Sequence, residues 1–258
     1  MSHPVLERLG LTAYSSLNEA LEHPLIGRVV RMYLDRRRDP IHTAPRQIRA
    51  AGESMRLIGL TGYAGAGKDS VCQVLQERRA GIARAAFADA LKAEVAAAYG
   101  VDVSVFNDPT TKEISTPVLA ASRCIDPGFA RFLGELMCGL PSLQPRTVMQ
   151  QWGDYRRADD PEYWIRRLAT TVEMARVLGW STVIITDVRA PNEAAWVRAQ
   201  GGRLWRVTRP GVKPRSGHWS EHALREAPAD AVLANDEGLD MLSVRALGAF
   251  DELVERAS

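Results

Sequence analysis

Residues 59–70 read GLTGYAGAGKDS, and this stretch constrains the fold more than any other part of the chain. Gly62, Gly67 and Lys68 fit the phosphate-loop pattern G-x-x-x-x-G-K-[ST] except at its last place. That place holds Asp69 instead of a hydroxyl residue, and Ser70 follows it. Because such a loop has to connect a strand to a helix, the flanking residues decide whether the pattern carries meaning.

Both flanks have the required character. Residues 56–61 (RLIGLT) form a short apolar run that predicts a buried strand. Residues 67–79 carry apolar side chains at helical spacing, which predicts a helix that opens near Lys68. In this setting the loop N–H groups converge on phosphate oxygens, and Lys68 reaches the β and γ oxygens. The residues expected to bind the triphosphate are Gly62, Ala64, Gly65, Ala66, Gly67, Lys68, Asp69 and Ser70.

Asp69 is compatible with a triphosphate site. A carboxylate is a hard oxygen ligand, and it can hold Mg²⁺ directly or through water molecules. Ser70 offers a hydroxyl for the same purpose, and the sequence does not choose between the two residues.

The rest of the chain alternates between predicted strands and helices. This alternation predicts an α/β fold with a parallel sheet covered on both faces, with ligands at the carboxyl ends of the strands. Further strands are expected at 82–87, 182–186, 203–208 and 230–234. Helices are expected at 88–99, from an N-cap at Asp160 to Gly179, from Pro191 to Gly201, and at 239–254.

The composition narrows the class of protein. The chain has 258 residues, enough for one α/β domain with a small appendage. The net charge of +2 does not indicate polymeric nucleic acid or an anionic membrane as a partner, and no apolar run approaches about 18 residues. The N-terminus lacks a signal-peptide layout. The three cysteines, Cys72, Cys124 and Cys138, are far apart, which is typical of reduced thiols in a cytoplasm.

Several segments in a fixed order carry a family resemblance. They are the loop with its Lys-Asp-Ser ending, FADALK (87–92), PRTVMQQWGDYRR (145–157), TDVRAPNEA (186–194), and RVTRPG, HWSEHAL and VLAND near the end. In this order they resemble phage-type deoxynucleoside monophosphate kinases, over residues 56 to about 256. The resemblance implies a three-layer P-loop nucleoside monophosphate kinase-like fold for residues 56–258, with an acceptor-binding insert at about 88–160 and a lid at about 209–222.

The chain departs from the family pattern in two places. Residues 1–55 match no family segment and predict an N-terminal helical extension or linker. The family usually has Gly-Thr-Glu or Gly-Thr-Asp where this chain has Gly153-Asp154. The register of the family motif onto Arg156 and Arg157 is therefore open by one residue.

Phosphoryl transfer between nucleotides needs charge neutralisation and alignment more than covalent catalysis. Arginine suits an acceptor phosphate because its planar donors bind two oxygens at once. The candidates are Arg146, Arg156, Arg157 and Arg189, of which Arg189 follows a predicted strand at the ligand edge of the sheet. Asp187, at the end of that strand, is placed like the metal-orienting acid of phosphate-loop enzymes.

Other side chains are candidates for binding the acceptor nucleotide. Asp89 and Lys92 open the helix after the second strand, although a helix N-cap is an alternative role for Asp89. Phe87 and Trp152 are candidates to stack on a base, with a buried core role as the alternative. Gln150 lies in the segment that resembles the family's Pro-Arg…Gln…Gly…Arg motif.

Residues 209–222 (RPGVKPRSGHWSEH) form a loop rich in glycine, proline and cations, which predicts a lid that excludes water from the phosphates. Its cationic tips are Arg209 and Arg215. Asn235, after the last strand, begins the loop whose backbone is expected to read the ATP base.

Two competing patterns are weaker. Residues 218–222 spell H-x-x-E-H, the pattern of inverted zinc metalloproteases. Catalytic zinc needs a third protein ligand, and no second matching acidic motif stands out, so the lid interpretation is preferred. The basic run 36–38 fits a solvated helix end better than a nucleic-acid contact.

Together the sequence predicts a kinase that transfers the γ-phosphoryl of ATP to a deoxynucleoside monophosphate with Mg²⁺. Two alternatives stay open: a P-loop phosphomevalonate kinase, which needs no base pocket, and a P-loop protein that binds nucleotide without catalysis. The expected partners are ATP and the monophosphate, without polymeric nucleic acid or a membrane, and a homodimer stays open. The expected compartment is the cytoplasm, that of the host if a phage encodes the chain.

Overall fold

The computed structural model describes residues 55–108, 110–137, 140–214, 218–221, 223–224 and 227–256. They divide into two compact units. The sheet unit contains the described residues up to Ala86 and from Ala169 onward, and the helical unit is Phe87–Leu168. Several predictions fall outside the described residues: residues 1–54 of the predicted extension 1–55 with its basic run, Cys138, Arg215 and His222.

The sheet unit is built on five parallel strands in the order β2-β3-β1-β4-β5. Their bounds are β1 (Arg56–Thr61), β2 (Ile82–Ala85), β3 (Thr182–Ile185), β4 (Arg203–Thr208) and β5 (Ala231–Ala234). The five predicted strands are confirmed, with ends that differ by no more than two residues. β1 lies at the centre, where it is buried on both faces, and this explains its continuous apolar run.

One face of the sheet is covered by α1 (Lys68–Arg78) and α7 (Leu239–Glu255). Val71 and Leu75 of α1 are fully buried, and they share a core with Leu60 of β1 and Phe250 of α7. The end of α1 is also tied to α7 by an ion pair, because Arg79 Nε donates to Asp251 Oδ1 at 2.9 Å.

The opposite face is covered by α6 (Pro191–Ala199). Gly59 of β1 lies on this face, and a Cβ there would come within 2.9 Å of the side chains of Leu204 and Val188. The close approach explains why β1 contains a glycine. Helices on both faces of a parallel sheet make the three-layer α/β fold of P-loop kinases that the sequence predicted.

The helical unit contains α2 (Phe87–Tyr99), α3 (Pro127–Met137), α4 (Pro145–Asp159) and the start of α5 (Tyr163–Val177). Short 3₁₀ turns at Val103–Phe106, Pro117–Leu119 and Ala121–Arg123 connect α2 to α3. The sequence predicted α2 and α5 but neither α3 nor α4. The start predicted for α5 at Pro161 is wrong by two residues: the Asp160 carboxylate does accept the Glu162 N–H at 3.1 Å, but regular helix begins at Tyr163.

Candidate functional site

The phosphate loop turns sharply at two glycines between β1 and α1. Gly62 has φ +134°, and a Cβ at this position would lie 2.2 Å from the Val207 carbonyl oxygen of β4. Gly67 has φ +112°, and its Cβ would lie 2.9 Å from Nδ2 of Asn235. Both positions therefore need glycine for conformational and for packing reasons.

Lys68 begins α1 and is 8% exposed. Its Nζ donates to the carbonyl oxygens of Gly62 at 2.7 Å and Tyr63 at 2.9 Å. These bonds fold the side chain back over the loop and hold its ammonium among the loop atoms. The N-terminus of α1 adds its partial positive charge at the same place, an arrangement that favours anionic phosphate oxygens.

Asn235, directly after β5, supports the loop from the side. The residue is 5% exposed, and its Nδ2 donates to the Ala66 carbonyl oxygen at 2.9 Å. Its backbone N–H donates to Thr208 at 2.7 Å, so that the end of β4 is linked to the same point. The sequence placed Asn235 at the ATP base, and this role in positioning the phosphate loop was not foreseen.

A cavity of about 330 Å³ opens beside the phosphate loop, where β1, β3 and β4 end. Arg189, Arg206 and Arg209 line it, together with Tyr63 of the loop. Its remaining polar lining comes from Thr61, Thr208 and Ser220, and its apolar lining from Ala66, Val188, Val207, Val212 and Leu224. A concave site with several cations beside a phosphate loop suits a polyanionic ligand.

Arg189 is positioned by a buried carboxylate. Glu193, in the first turn of α6, is 2% exposed. Its Oε2 accepts the backbone N–H of Arg189 at 2.8 Å and that of Ala190 at 3.0 Å. The carboxylate thereby satisfies N–H groups at the start of α6 and fixes the backbone from which Arg189 reaches the cavity. The resemblance included Glu193 in a motif, but sequence reasoning gave it no role.

The predicted metal ligands occupy the same side of the sheet unit. Asp69 is exposed at the second position of α1, and Ser70 beside it is half-buried. Asp187 is half-buried two residues after β3. Within the described residues, no three His, Cys, Asp or Glu side chains cluster as a metal site.

Arg209 lies directly after β4, where it lines the cavity. Its Nη1 comes within 3.5 Å of the Gly65 carbonyl oxygen, across the phosphate loop. Arg209, which belongs to the predicted lid, thus contacts the phosphate loop.

The remaining acceptor candidates belong to the helical unit. Arg146, at the second position of α4, forms an ion pair with Glu113 and is largely buried. Arg157 Nη1 lies 3.9 Å from Asp154, and Lys92 donates to Asn107 at 2.9 Å. Gln150 is half-buried in the middle of α4. Each of these side chains retains accessible surface within its unit.

Asp89 and Phe87 both lie in the first turn of α2. The N-cap alternative for Asp89 is wrong, because α2 begins at Phe87 and Asp89 is its third residue. Phe87 is 6% exposed, which favours its core role over stacking on a base.

Arg156 is held by other side chains of the helical unit. Its guanidinium lies 4.7 Å from the centre of the Trp152 ring, and its Nη2 lies 3.3 Å from Asp126. Trp152 is 2% exposed and also packs edge-on against Phe129 at 4.7 Å. The indole therefore faces other side chains, which favours its core role, and the charge of Arg156 is already compensated.

Glu94 is the centre of this polar network and was missed in the sequence. Its carboxylate accepts the hydroxyl of Tyr163 at 2.8 Å and the indole N–H of Trp152 at 3.2 Å. It also pairs with Arg167 at 3.0 Å and lies 3.6 Å from Arg156. Its partners lie on α4 and α5, and no local sequence pattern around residue 94 indicates these contacts.

Two further expectations concern reactive side chains. In the predicted lid, His218 Nδ1 lies 2.8 Å from the Ser220 hydroxyl. Trp219–Glu221 form a 3₁₀ turn, so the described part of the H-x-x-E-H stretch is not the α-helix that would place two histidines on one face.

Burial raises the pKa of the Cys72 thiol in α1 to about 12. Cys72 is therefore a neutral packing residue.

No helix among the described residues combines the length and the apolar character that a membrane crossing requires.

Comparison with known proteins points to one family. Residues 143–245 match the family model of deoxynucleotide monophosphate kinase. A putative deoxynucleotide monophosphate kinase of Acanthamoeba polyphaga mimivirus is 28% identical over 201 residues, which cover 76% of this chain and 97% of that protein. The family match begins just before α4 and includes Asp187, Arg189, Arg209 and Asn235. The resemblance predicted from the motifs is thus confirmed, and the chain is similar to the deoxynucleotide monophosphate kinases.

Proposed function

We propose that the protein transfers the γ-phosphoryl group of ATP to a deoxynucleoside monophosphate, giving ADP and the deoxynucleoside diphosphate. The observation that carries the proposal is the cavity beside Lys68, which is lined by Arg189, Arg206 and Arg209. A site of this charge suits the four phosphate groups that ATP and a nucleoside monophosphate bring together. The similarity to deoxynucleotide monophosphate kinases supports the same reaction class.

The donor triphosphate would bind along the phosphate loop. The loop N–H groups and the N-terminus of α1 face the phosphate oxygens, and Asn235 keeps the loop in shape through Ala66. On binding, Lys68 would exchange its bonds to Gly62 and Tyr63 for bonds to the β and γ oxygens. Its charge would then lie at the bond that breaks.

In the transfer step, a phosphate oxygen of the acceptor attacks the γ-phosphorus in line, and the bond from the γ-phosphorus to the bridging oxygen breaks. The bridging oxygen leaves with its electron pair as part of ADP. Lys68 and Arg209 would stabilise the negative charge that moves to this oxygen. Arg189 and Arg146 would hold the acceptor phosphate, because a guanidinium binds two oxygens in a fixed orientation.

The residues present fit Mg²⁺, since Asp69, Ser70 and Asp187 supply the hard oxygen atoms that this ion prefers. Bound with ATP, Mg²⁺ supplies shielding of the phosphate charges. We further propose that the reaction takes place in a cytoplasm, where ATP, Mg²⁺ and reduced thiols occur together.

An acceptor panel tests the proposed function. Purified protein is incubated with ATP and Mg²⁺ and with each deoxynucleoside monophosphate, each ribonucleoside monophosphate or phosphomevalonate, and the products are separated by chromatography. We expect a diphosphate product from at least one deoxynucleoside monophosphate. Product from phosphomevalonate alone would identify the small-molecule kinase, and nucleotide binding without any product would identify the non-catalytic alternative.

A further inference from the structure

Arg206 is a charged residue inside the sheet, at the level of the phosphate loop. It lies in β4 and is the register partner of Thr61, the last residue of β1 before the loop. Its side chain is half-buried and lines the phosphate cavity. None of the sequence motifs gave this residue a role.

The guanidinium of Arg206 holds a segment that contributes to the cavity lining. Its Nη2 donates to the carbonyl oxygen of Leu224 at 3.0 Å and also to that of Ala227. Leu224 is 7% exposed and lines the same cavity as Arg206, and Ala227 N–H donates back to Leu224 at 3.3 Å. One side chain thus connects the strand beside the phosphate loop to an apolar wall of the cavity.

An arginine suits this position for two reasons. Carbonyl groups that are removed from water need donors, and a guanidinium supplies several donors in one plane. The same group keeps a positive charge beside the cavity while it holds the wall. Arg203, on the same strand, shows the contrast: it is exposed, and its Nη1 lies 3.6 Å from Asp230, away from the cavity lining.

We infer that Arg206 is a positioning residue: it fixes Leu224, part of the apolar cavity lining, and thereby keeps water away from the transferred phosphoryl group. This inference rests on the proposed kinase function. Water competes with the acceptor for the γ-phosphorus of bound ATP, and a wall that excludes water directs the group to the acceptor. Loss of the anchor should therefore increase ATP hydrolysis relative to phosphoryl transfer.

The test compares Arg206→Met and Arg206→Lys with the parent protein and with Arg203→Met as the matched control. For each protein, the rate of ATP hydrolysis without acceptor and the rate of diphosphate formation with acceptor are measured. The ratio of hydrolysis to transfer is then calculated. In Arg206→Met we expect the ratio to rise by roughly tenfold or more, because tenfold corresponds to the loss of one hydrogen bond from a charged donor and this variant loses two. Arg206→Lys should recover part of this loss, and Arg203→Met should match the parent.

Hydrogen exchange of the backbone N–H of Ala227 gives a readout that does not depend on the reaction. It should become faster in Arg206→Met than in the parent and in Arg203→Met, because Leu224 and Ala227 lose the guanidinium that holds both carbonyl oxygens. If Arg206→Met does not fold, Arg206→Lys decides the same comparison, with a smaller change in the same direction.

Three results would overturn the inference or separate it from the proposed function. An unchanged ratio with unchanged exchange would show that Arg206 anchors nothing. An equal fall of hydrolysis and transfer would place Arg206 on the phosphates themselves instead of on the wall. A parent protein that transfers no phosphoryl group would refute the proposed function, while the exchange experiment would still decide whether Arg206 holds Leu224 and Ala227.

Discussion

Among single residues, Lys68 is the one on which the proposed donor site depends most. The Lys68 side chain is largely buried, and its ammonium donates to two carbonyl oxygens of the phosphate loop, which keep it beside the place proposed for the β and γ oxygens until ATP binds. Preorganised charge of this kind stabilises a transition state more than the same charge in solvent does.

Replacing Lys68 by Ala should lower the rate of phosphoryl transfer by a factor of roughly 10² to 10³, as for other preorganised groups at a transition state. Steady-state kinetics measures the effect, and circular dichroism confirms that the variant is folded. Arg78→Ala, at the exposed end of the same helix, is the control and should keep the parent rate. Full activity in Lys68→Ala would refute the assignment of the phosphate loop.

Asp69 and Ser70 can be separated by a magnesium titration. If Asp69 orients the ion, Asp69→Ala should raise the Mg²⁺ concentration at half-maximal rate, with little effect on nucleotide binding without metal. Ser70→Ala should then titrate like the parent. The reverse pattern would transfer the role to Ser70 and leave Asp69 as an exposed residue of the first helical turn.

Arg189 and Arg146 are expected to hold the acceptor phosphate. Lysine at either position keeps the charge but loses the planar donors, so the acceptor KM should rise, kcat should fall, or both, by roughly tenfold or more. ATP affinity, measured by calorimetry, should change little. A defect confined to ATP binding in both variants would place both arginines on the donor side.

At the scale of elements, the phosphate loop is confined between β1, β4 and β5. Gly62→Ala would place a Cβ 2.2 Å from the Val207 carbonyl oxygen at φ +134°. The substitution should therefore lower the free energy of unfolding by about 1–3 kcal/mol. Gly248→Ala is the matched control, since this α7 position has nothing within 4 Å of an added Cβ. It should stabilise the protein by about 0.5–1 kcal/mol.

Urea denaturation of both glycine variants measures these changes. Opposite signs support the account in which packing against β4 fixes the loop. A neutral Gly62→Ala would mean that the loop can move away from β4 at no cost.

The elements that the sequence predicted well are those with a strong local pattern. β1 is an unbroken apolar run, and the buried face of α5 shows helical spacing at Ile165, Leu168, Val172 and Ala175, all of which are buried. α3 and α4 were not predicted. Gly128 and Gly134 weaken the helical pattern of the α3 sequence, and the α4 sequence is polar and contains Gly153. Pro127 and Pro145 at the first helical positions were the available signals.

Across the whole molecule, the contacts between residues far apart in the chain were not predicted from the sequence. Asn235 supports Ala66 across 169 positions of the chain, and Glu94 collects partners from α4 and α5. Arg206 holds Leu224 through a contact that only the folded chain brings together. Motif and periodicity predicted which residues are expected to face a nucleotide, whereas the residues that hold the phosphate loop and the cavity lining in place depend on tertiary packing.

We propose that one cavity beside the phosphate loop serves transfer from ATP to a deoxynucleoside monophosphate. The most direct measurement uses ATP labelled at the γ-phosphate, with the parent protein and Lys68→Ala side by side. We predict that the label appears in a deoxynucleoside diphosphate, at a rate that depends on the deoxynucleoside monophosphate and that Lys68→Ala nearly abolishes. Label found only in inorganic phosphate, or equal labelling of the diphosphate by both proteins, would contradict the account.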